Sequence, residues 1–495
     1  MSKTLRIYFT SDVHGYLLPV DYARNGTQVT GLLPCARNFV KDENTIIIDA
    51  GDILQGAPFV AYLQRHGKGA SLIAQTLNRL GYDYITLGNH DFNYGIPYLK
   101  NYLENLDAAC LCANVNGDIT VASFIVHTLG NGLRVGLTGI VTDHVNVWES
   151  TENLIGVTVT DPFPAAKEAL AQLKGKTDVT VCIYHGGFEG NTGSTENIGT
   201  RLCKELDFDL LLTGHQHNAI EGEMHHGTYI VQPKPNGTHA ILITGEKTAE
   251  AMQFSSAFVT GDGTCDPAHT APLTETEEKV QVWLDVPVGR LDKPLRMAGK
   301  VEMAMNGTPI ADFINQVQLD ASGADMACTG LPNIIPGFDT DVTLRSVISN
   351  YPFSNELVVL EVTGVVLKQV LERVASYLHI SENGKPEVSD AFLIPKEEHY
   401  NFDFFSGLTY TADLRKPVGA RITEMRHNDR IINPSDTFTL ATSNYRASGT
   451  GGYEIYRQCP VVKRMAHEID HLLQEYISTR AQVITQRYPA PTFLF

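Results

Sequence analysis

The stretch IYFTSDVHG, residues 7–15, decides how this chain is read. A run suited to a buried strand leads straight into Asp12 and His14, two apart, ahead of a glycine. The pattern returns as IIIDAGD (46–52), YITLGNHD (84–91), VCIYHGG (181–187) and LLLTGHQH (210–217). Each is an apolar run ending in Asp, Asn or His beside Gly. Polar side chains at the ends of several buried strands converge on one sheet edge, where open α/β sheets place their ligands. Together the five stretches supply Asp12, His14, Asp52, Asn89, His185, His215 and His217. Oxygen and imidazole donors in that number suffice for two metal ions sharing one bridge.

The residue types suggest a division of labour. Asp12 and His14 suit a first cation, and Asp52 is the carboxylate able to bridge two, with Gly51 allowing close backbone approach. Asn89 offers a neutral carbonyl oxygen to the second ion, and His185 reaches the same one. His215 and His217 alternate, so one serves each metal. Two cations roughly 3.5–4 Å apart acidify a shared water and clamp a phosphate. His90, directly after Asn89, reads as a non-ligand that stabilises phosphoryl charge or protonates the leaving alkoxide. Asp91 or Asn93 would orient its ring. Asp49 reads as a turn residue, and His225 and His226 as solvated. Any one motif alone is ordinary turn chemistry; five in order, each after an apolar run, define a site.

Outward from these motifs, 495 residues with 43% hydrophobic content fill two or three cores, so more than one domain is expected. A formal net charge of −18 argues against duplex nucleic acid or an anionic membrane as partner. It permits a small phosphorylated substrate, because bound cations reverse the local field. No apolar run approaches the roughly 20 residues that span a bilayer. The first strand starts with no room for a signal peptide, which predicts a cytoplasmic protein, or an exported one if a leader has been removed. The eight cysteines form no CxxC pair, as expected for reduced, buried thiols. Nitrogen and oxygen donors without thiolates fit Mn, Zn, Fe or Co. Nothing in the sequence specifies an oligomeric state.

Strand-like runs alternate with helical patterns through residue 245, including helices over 71–80 and 163–173 and strands over 134–141 and 228–231. This alternation predicts a layered α/β domain over residues 1–255. A turn-rich segment, GDGTCDPAHTAPLTETEEK, then leads to a charged helix and PVGRLDKPL, a connector over 256–300. From 301 to 495 the pattern restarts, with an amphipathic segment over 310–319, a strand over 356–361 and a helix over 365–378. A terminal helix is expected over 463–488.

The ordered set DxH…GD…GNHD…H…GHxH resembles the calcineurin-like metallophosphoesterases. In the second half YPFSNELVVLEVTG (351–364), YNFDFFSGLTY (400–410) and ATSNYRASGTGGY (441–453) resemble the C-terminal domain of the 5′-nucleotidase family. The resemblance implies a four-layer sandwich, two mixed sheets flanked by helices, followed by a C-terminal α/β substrate domain. It also implies a dinuclear-metal hydrolase of nucleotide phosphate esters that works by metal-hydroxide attack. Phe353 and Tyr445 would sandwich the base, Asn355 would bond its edge, and Ser448, Gly449 and Gly451, within the 448–452 loop, would lie beside the sugar. Domain closure would bring the nucleoside to the metals.

Three departures shape the expectation. Asn93 stands where 5′-nucleotidases often carry an Asp, Pro332 falls near a family Arg, and Gly451 replaces an Asp that binds ribose hydroxyls. Asn93 and His217 resemble the 2′,3′-cyclic-nucleotide 2′-phosphodiesterase/3′-nucleotidase branch more than the UDP-sugar hydrolases. The alternatives are a non-hydrolysing nucleotide or metabolite sensor and a metallophosphatase with a non-nucleotide substrate.

Overall fold

The computed structural model describes residues 3–189, 196–248, 251–394 and 396–495. The chain forms two compact units, Met1–Gln281 and Val282–Phe495. The division falls inside a helix, Pro267–Leu284, which occupies the middle of the segment read as a connector.

Unit 1 is built from β1 (Lys3–Thr10), β2 (Thr45–Asp49), β3 (Tyr84–Ile85), β4 (Ala109–Cys110), β5 (Phe124–Thr128) and β6 (Arg134–Val141), followed by β7 (Val179–His185), β8 (Leu210–Thr213), β9 (Ile220–His225), β10 (Thr228–Gln232), β11 (Ala240–Lys247) and β12 (Met252–Val259). These make two six-stranded sheets, ordered β12-β11-β1-β2-β3-β4 and β9-β10-β8-β7-β6-β5. Both are mixed. β1 to β4 run parallel while β11 and β12 are antiparallel. In the second sheet β6, β7, β8 and β10 run parallel between antiparallel edges.

Apolar residues of both sheets meet in one core, with Ile7 and Phe9 of β1 and Ile46 and Ile48 of β2 packed with Leu137, Val181, Ile183 and Leu212 of the other sheet. Burying each such side chain contributes about 1.5–3 kcal/mol. Helices cover the outer faces. In Ser71–Leu80 the buried Ile73, Ala74, Leu77 and Leu80 recur at helical spacing, and Gly81 ends the helix in the left-handed region. Asp161 caps Pro162–Leu173 by accepting from the Phe163 amide at 2.9 Å. Two mixed sheets with flanking helices are the four-layer arrangement expected. Its consequence is that the carboxyl ends of β1, β2 and β3, and of β7 and β8, carry all five motifs.

Unit 2 has a five-stranded sheet with Asp403–Ser406, Met326–Gly330, Thr437–Ser443, Glu356–Thr363 and Val461–Glu468 in that order. Alternate residues face different cores: Met326, Cys328, Leu360 and Leu440 pack toward helix Gly364–Ala375, while Ala327, Leu357 and Ala441 pack toward Pro309–Ser322 and Ile469–Ser478. The expected helix over 463–488 is corrected. Residues 461–468 form an edge strand against Glu356–Thr363, and the helix runs only from Ile469 to Ser478. The β-branched pair Val461 and Val462 starts that strand, and an available sheet edge outweighs a helix propensity worth only tenths of a kcal/mol per residue.

Candidate active site

The five motifs meet at one place. His217 Nε2 lies 3.3 Å from Asp12 Oδ1 and 3.1 Å from His14 Nε2. His185 Nε2 lies 3.2 Å from Asp52 Oδ2 and 4.0 Å from Asp12 Oδ1. His215 Nδ1 lies 2.9 Å from Asn89 Oδ1. Donor atoms of Asp12, His14 and His217 fall within 4.8 Å of one another, and so do those of Asp52, His185 and His215. Thus all seven expected ligands converge, in two groups, with Asp12, Asp52 and His185 fully buried.

The backbone is bent to achieve this. Asp12, His14, Asp52, His215 and His217 all have positive φ, between 49° and 69°. They are five of the ten non-glycine residues with positive φ among those described. The left-handed region costs such residues of order 1 kcal/mol or more, and Asp and His occupy it more readily than most. Hydrogen bonds hold the bends: His14 N–H donates to Asp52 O at 2.8 Å, Asp12 N–H to Gly51 O at 2.9 Å, and the His215 N–H to both Asp12 carboxylate oxygens at 3.0 Å. Gly88 lets the loops close, since a Cβ there would lie 2.1 Å from Asp52 Oδ1.

The ring nitrogens are committed in a way that fits cations. His14 Nδ1 faces the Gln55 carbonyl at 2.9 Å, and His185 Nδ1 faces the Ala50 carbonyl at 2.6 Å. Carbonyls only accept, so each Nδ1 carries a proton, and each Nε2 is left turned inward to receive a cation or a second proton. His215 has an acceptor at each nitrogen, Glu196 Oε1 at 2.7 Å from Nε2 and Asn89 Oδ1 from Nδ1. A ring with one N–H donates once, and the Glu196 carboxyl oxygen accepts that bond. Two acceptor atoms then remain at 2.9 Å, a contact that a shared cation relieves. Asp52 Oδ2 and His185 Nε2 are buried 3.2 Å apart, with no other hydrogen-bond partner at either atom. Burial alone would raise the Asp12 and Asp52 carboxyls, yet the surrounding imidazoles hold both well below the ordinary range. Burial likewise opposes charge on His185, but Asp52 and Asp12 push it up to about 10. The pocket therefore draws positive charge, and the donor set fits two divalent ions.

His90 stands beside this set as a non-ligand. Its amide donates to Asp52 Oδ1 at 2.7 Å, and its Nδ1 meets Asn93 Oδ1 at 2.7 Å. Of the two residues considered for orienting it, Asn93 does so. Asp91 instead accepts from the amides of Asp52, Ile53, Leu54 and Gly88, fixing the loop that carries Asp52. Asp49 accepts from Thr10 Oγ1 and the Gly51 amide, a turn role. Sequence reasoning missed Glu196, Trp148, whose ring stacks on His215 with centroids 5.4 Å apart, and Glu149, which accepts from Asn93. They lie on connecting segments without periodicity, so only the folded loops reveal them.

In unit 2 the expected substrate residues share one end of the sheet. Glu356–Thr363 and Thr437–Ser443 pair antiparallel with Leu357 opposite Ser443, which places Phe353 and Asn355 near the end from which Tyr445 emerges. The Glu356 amide donates to Asn444 Oδ1 at 3.0 Å. Phe353 and Tyr445 are both half-buried, and Phe353 packs edge-on against Tyr351. Ser448 Oγ donates to the Tyr445 carbonyl at 2.7 Å. Behind the loop, the buried Arg446 pairs with Asp403 at 2.9 Å, bonds Thr450 O at 2.7 Å and lies over the Tyr453 ring. Gly451 has φ 77°, and a Cβ there would sit 2.2 Å from Asn401 Oδ1. Asn401 and Arg446 thus leave no room for a side chain at this position.

Two mixed sheets, a strand-end donor set of Asp, Asn and His, and a separate α/β unit define a metallophosphoesterase with a C-terminal partner domain. Residues 5–219 match the calcineurin-like phosphoesterase family and residues 287–458 the 5′-nucleotidase C-terminal domain. The chain belongs to the 5′-nucleotidase family of calcineurin-like metallophosphoesterases. It superposes on a Staphylococcus aureus protein, provisionally described as a 5′-nucleotidase and solved with α-ketoglutarate, at TM-score 0.92 and 32% identity, covering 99% of this chain and 100% of that one. It is 25% identical to a Haemophilus influenzae 2′,3′-cyclic-nucleotide 2′-phosphodiesterase/3′-nucleotidase, over 97% of this chain and 85% of that protein. It is also 25% identical to the Bacillus subtilis trifunctional nucleotide phosphoesterase YfkN, over 96% of this chain and only 38% of that longer protein. Among the described residues no helix is long and apolar enough to cross a membrane.

Proposed function

We propose that this protein hydrolyses phosphate esters of nucleotides, and that 2′,3′-cyclic nucleotides and 3′-nucleotides are preferred over 5′-nucleotides. The observation that carries the reading is the pair of adjoining donor groups, with a ring nitrogen of His14, His185 and His215 committed to an acceptor outside them. Asp12, His14 and His217 are assigned to one cation, Asn89, His185 and His215 to the other, with Asp52 between them. Such cations, when bound, activate water and neutralise the phosphoryl oxygens. Mn, Zn, Fe and Co all suit these donors.

The chain's own residues supply the rest. His90 commits its Nδ1–H to Asn93, which leaves Nε2 facing the pocket; from the doubly protonated ring, Nε2 hands its proton to the departing ribose oxygen and returns to the Nδ1–H form. Trp148 backs His215 and restricts water there. In unit 2, Phe353 and Tyr445 offer flat faces to a base, Asn355 its edge contact, and Ser448, Gly449 and Gly451 a backbone rim for the sugar. Asn93 in place of Asp, and the name carried by the Haemophilus relative, support the cyclic and 3′ preference. A cytoplasmic location is proposed from the eight free cysteines, six of them buried.

The test is phosphate release by the manganese-loaded protein from 2′,3′-cAMP, 3′-AMP, 5′-AMP and UDP-glucose. Turnover should be fastest on the first two. No release from any of them, with two metals per chain shown by elemental analysis, would overturn the nucleotide reading. A faster 5′-AMP reaction would overturn only the preference.

A further inference from the structure

The contacts around His90 extend one residue further than a histidine with an orienting partner. Asn93 Nδ2 donates to Glu149 Oε1. Glu149 is the residue that ends the short helix Val145–Trp148, on the segment that follows β6. Its second oxygen accepts from Asn153 Nδ2 at 3.0 Å, and the same Asn153 nitrogen donates to the Asn93 carbonyl at 2.9 Å. Asn153 thus ties Glu149 and the Asn93 backbone into one fixed geometry.

A carboxamide has a donor end and an acceptor end of nearly the same shape, so Asn93 alone could face His90 with either. A carboxylate removes the ambiguity because it only accepts. With Glu149 on one side, the amide must turn Nδ2 outward and Oδ1 toward His90. Oδ1 in turn accepts only from a protonated Nδ1, which leaves Nε2 directed to the metal pocket. The reverse amide orientation would put N–H against N–H at His90 or hold the opposite tautomer. We propose that Glu149 is a positioning residue: it locks the Asn93 amide and, through it, the tautomer and ring orientation of His90. An Asp at position 93 needs no lock, since both its oxygens accept. Glu149 would then be a device that accompanies Asn at this position, and a liability beside a carboxylate there. Burial, with Asp52 nearby, raises the Glu149 carboxyl above its ordinary value, and its bonds from Asn153 and Asn93 and the nearby His90 oppose the rise.

The role of His90 as proton donor rests on the function proposed above; the lock itself does not, and the two are tested separately. First, the zinc-loaded protein labelled with nitrogen-15 at histidine is compared with Glu149→Leu by two-bond proton–nitrogen correlation. The parent should show His90 protonated at Nδ1, and the variant a mixture of tautomers. An unchanged single tautomer in the variant, with melting temperature and zinc content retained, would overturn the lock whether or not any nucleotide is cleaved.

Second, Glu149→Leu is made in the parent and in an Asn93→Asp background. In the parent, kcat on 2′,3′-cAMP should fall by about tenfold with KM unchanged. Glu149→Gln, which keeps an acceptor for Asn93, should lose less. In the Asn93→Asp background the same Glu149→Leu change should leave kcat unaltered or raise it, because two facing carboxylates are relieved. An equal loss in both backgrounds would mark Glu149 as merely structural and overturn the proposal, as would no loss in the parent. If Glu149→Leu does not fold, Glu149→Ala across the two backgrounds gives the same comparison: a loss confined to the parent supports the lock, and an equal loss or none overturns it.

Discussion

The donor cluster of unit 1 and the aromatic loop of unit 2 are both strand-end sites, yet they are built by opposite means. In unit 1 five of the seven donors sit on strained backbone, all but His217 are buried, and the His14 and His185 rings are fixed by their second nitrogen. In unit 2 Phe353 and Tyr445 remain half-exposed, and the rigidity lies behind them in the Arg446–Asp403 pair. The contrast follows from the chemistry each performs. A cation tolerates errors of only a few tenths of an ångström in its ligands. A stacked base requires a flat face at the right height and tolerates sliding.

Disruption of unit 1 should therefore be all-or-none. Asp52→Asn removes the charge of the carboxylate proposed to lie between the two cations but keeps the shape and an oxygen for the His90 amide. We predict loss of turnover by at least about a thousandfold, with at most one metal retained. Steady-state kinetics paired with elemental analysis reads both. Turnover within tenfold of the parent would refute a bridging role and remove the ground for calling this site the more exacting of the two.

Unit 2 should fail first in stability, not in chemistry. Asp403→Leu leaves the Arg446 guanidinium buried without its carboxylate, a change that costs about 3–5 kcal/mol when one member of such a pair is removed. Denaturant unfolding should show this as an earlier transition for unit 2. Phosphate release from p-nitrophenyl phosphate, which has no base to stack, should persist at low denaturant. If the variant unfolds like the parent, Arg446 finds other partners and the loop's rigidity has another source.

The two sites also differed in how far the sequence disclosed them. The metal set was legible because five motifs repeat one grammar, an apolar run followed by an N/O donor beside glycine, and because parallel strands must place their carboxyl ends together. The left-handed backbone at Asp12 and His215 was not legible, since only the crossing of two sheets forces it. Glu149, Glu196 and Trp148 escaped because their partners lie 56, 19 and 67 residues away in sequence, on connections with no period to mark them. In the second unit the terminal helix was placed too early, because edge-strand pairing, a tertiary event, decided residues 461–468. Gly451 looked like the loss of a sugar contact; the fold shows a position with no room for a side chain.

The smallest predicted effect bears most directly on what unit 2 is for. Tyr445 follows the strand Thr437–Ser443 at the sheet end near Phe353, and its carbonyl, not its ring, is tied to Ser448. Trimming the ring therefore leaves the loop's internal bond in place. Tyr445→Ala should remove one stacking face, worth about 1–3 kcal/mol per base. That corresponds to roughly a five- to hundredfold rise in KM for 2′,3′-cAMP at nearly constant kcat. The same variant should leave p-nitrophenyl phosphate hydrolysis unchanged. Equal losses on both substrates would mean that the substitution perturbs the metal site. Unchanged KM for the nucleotide would mean that the base is held elsewhere, and that the contrast between an exact chemical centre and a tolerant stacking platform does not describe this protein.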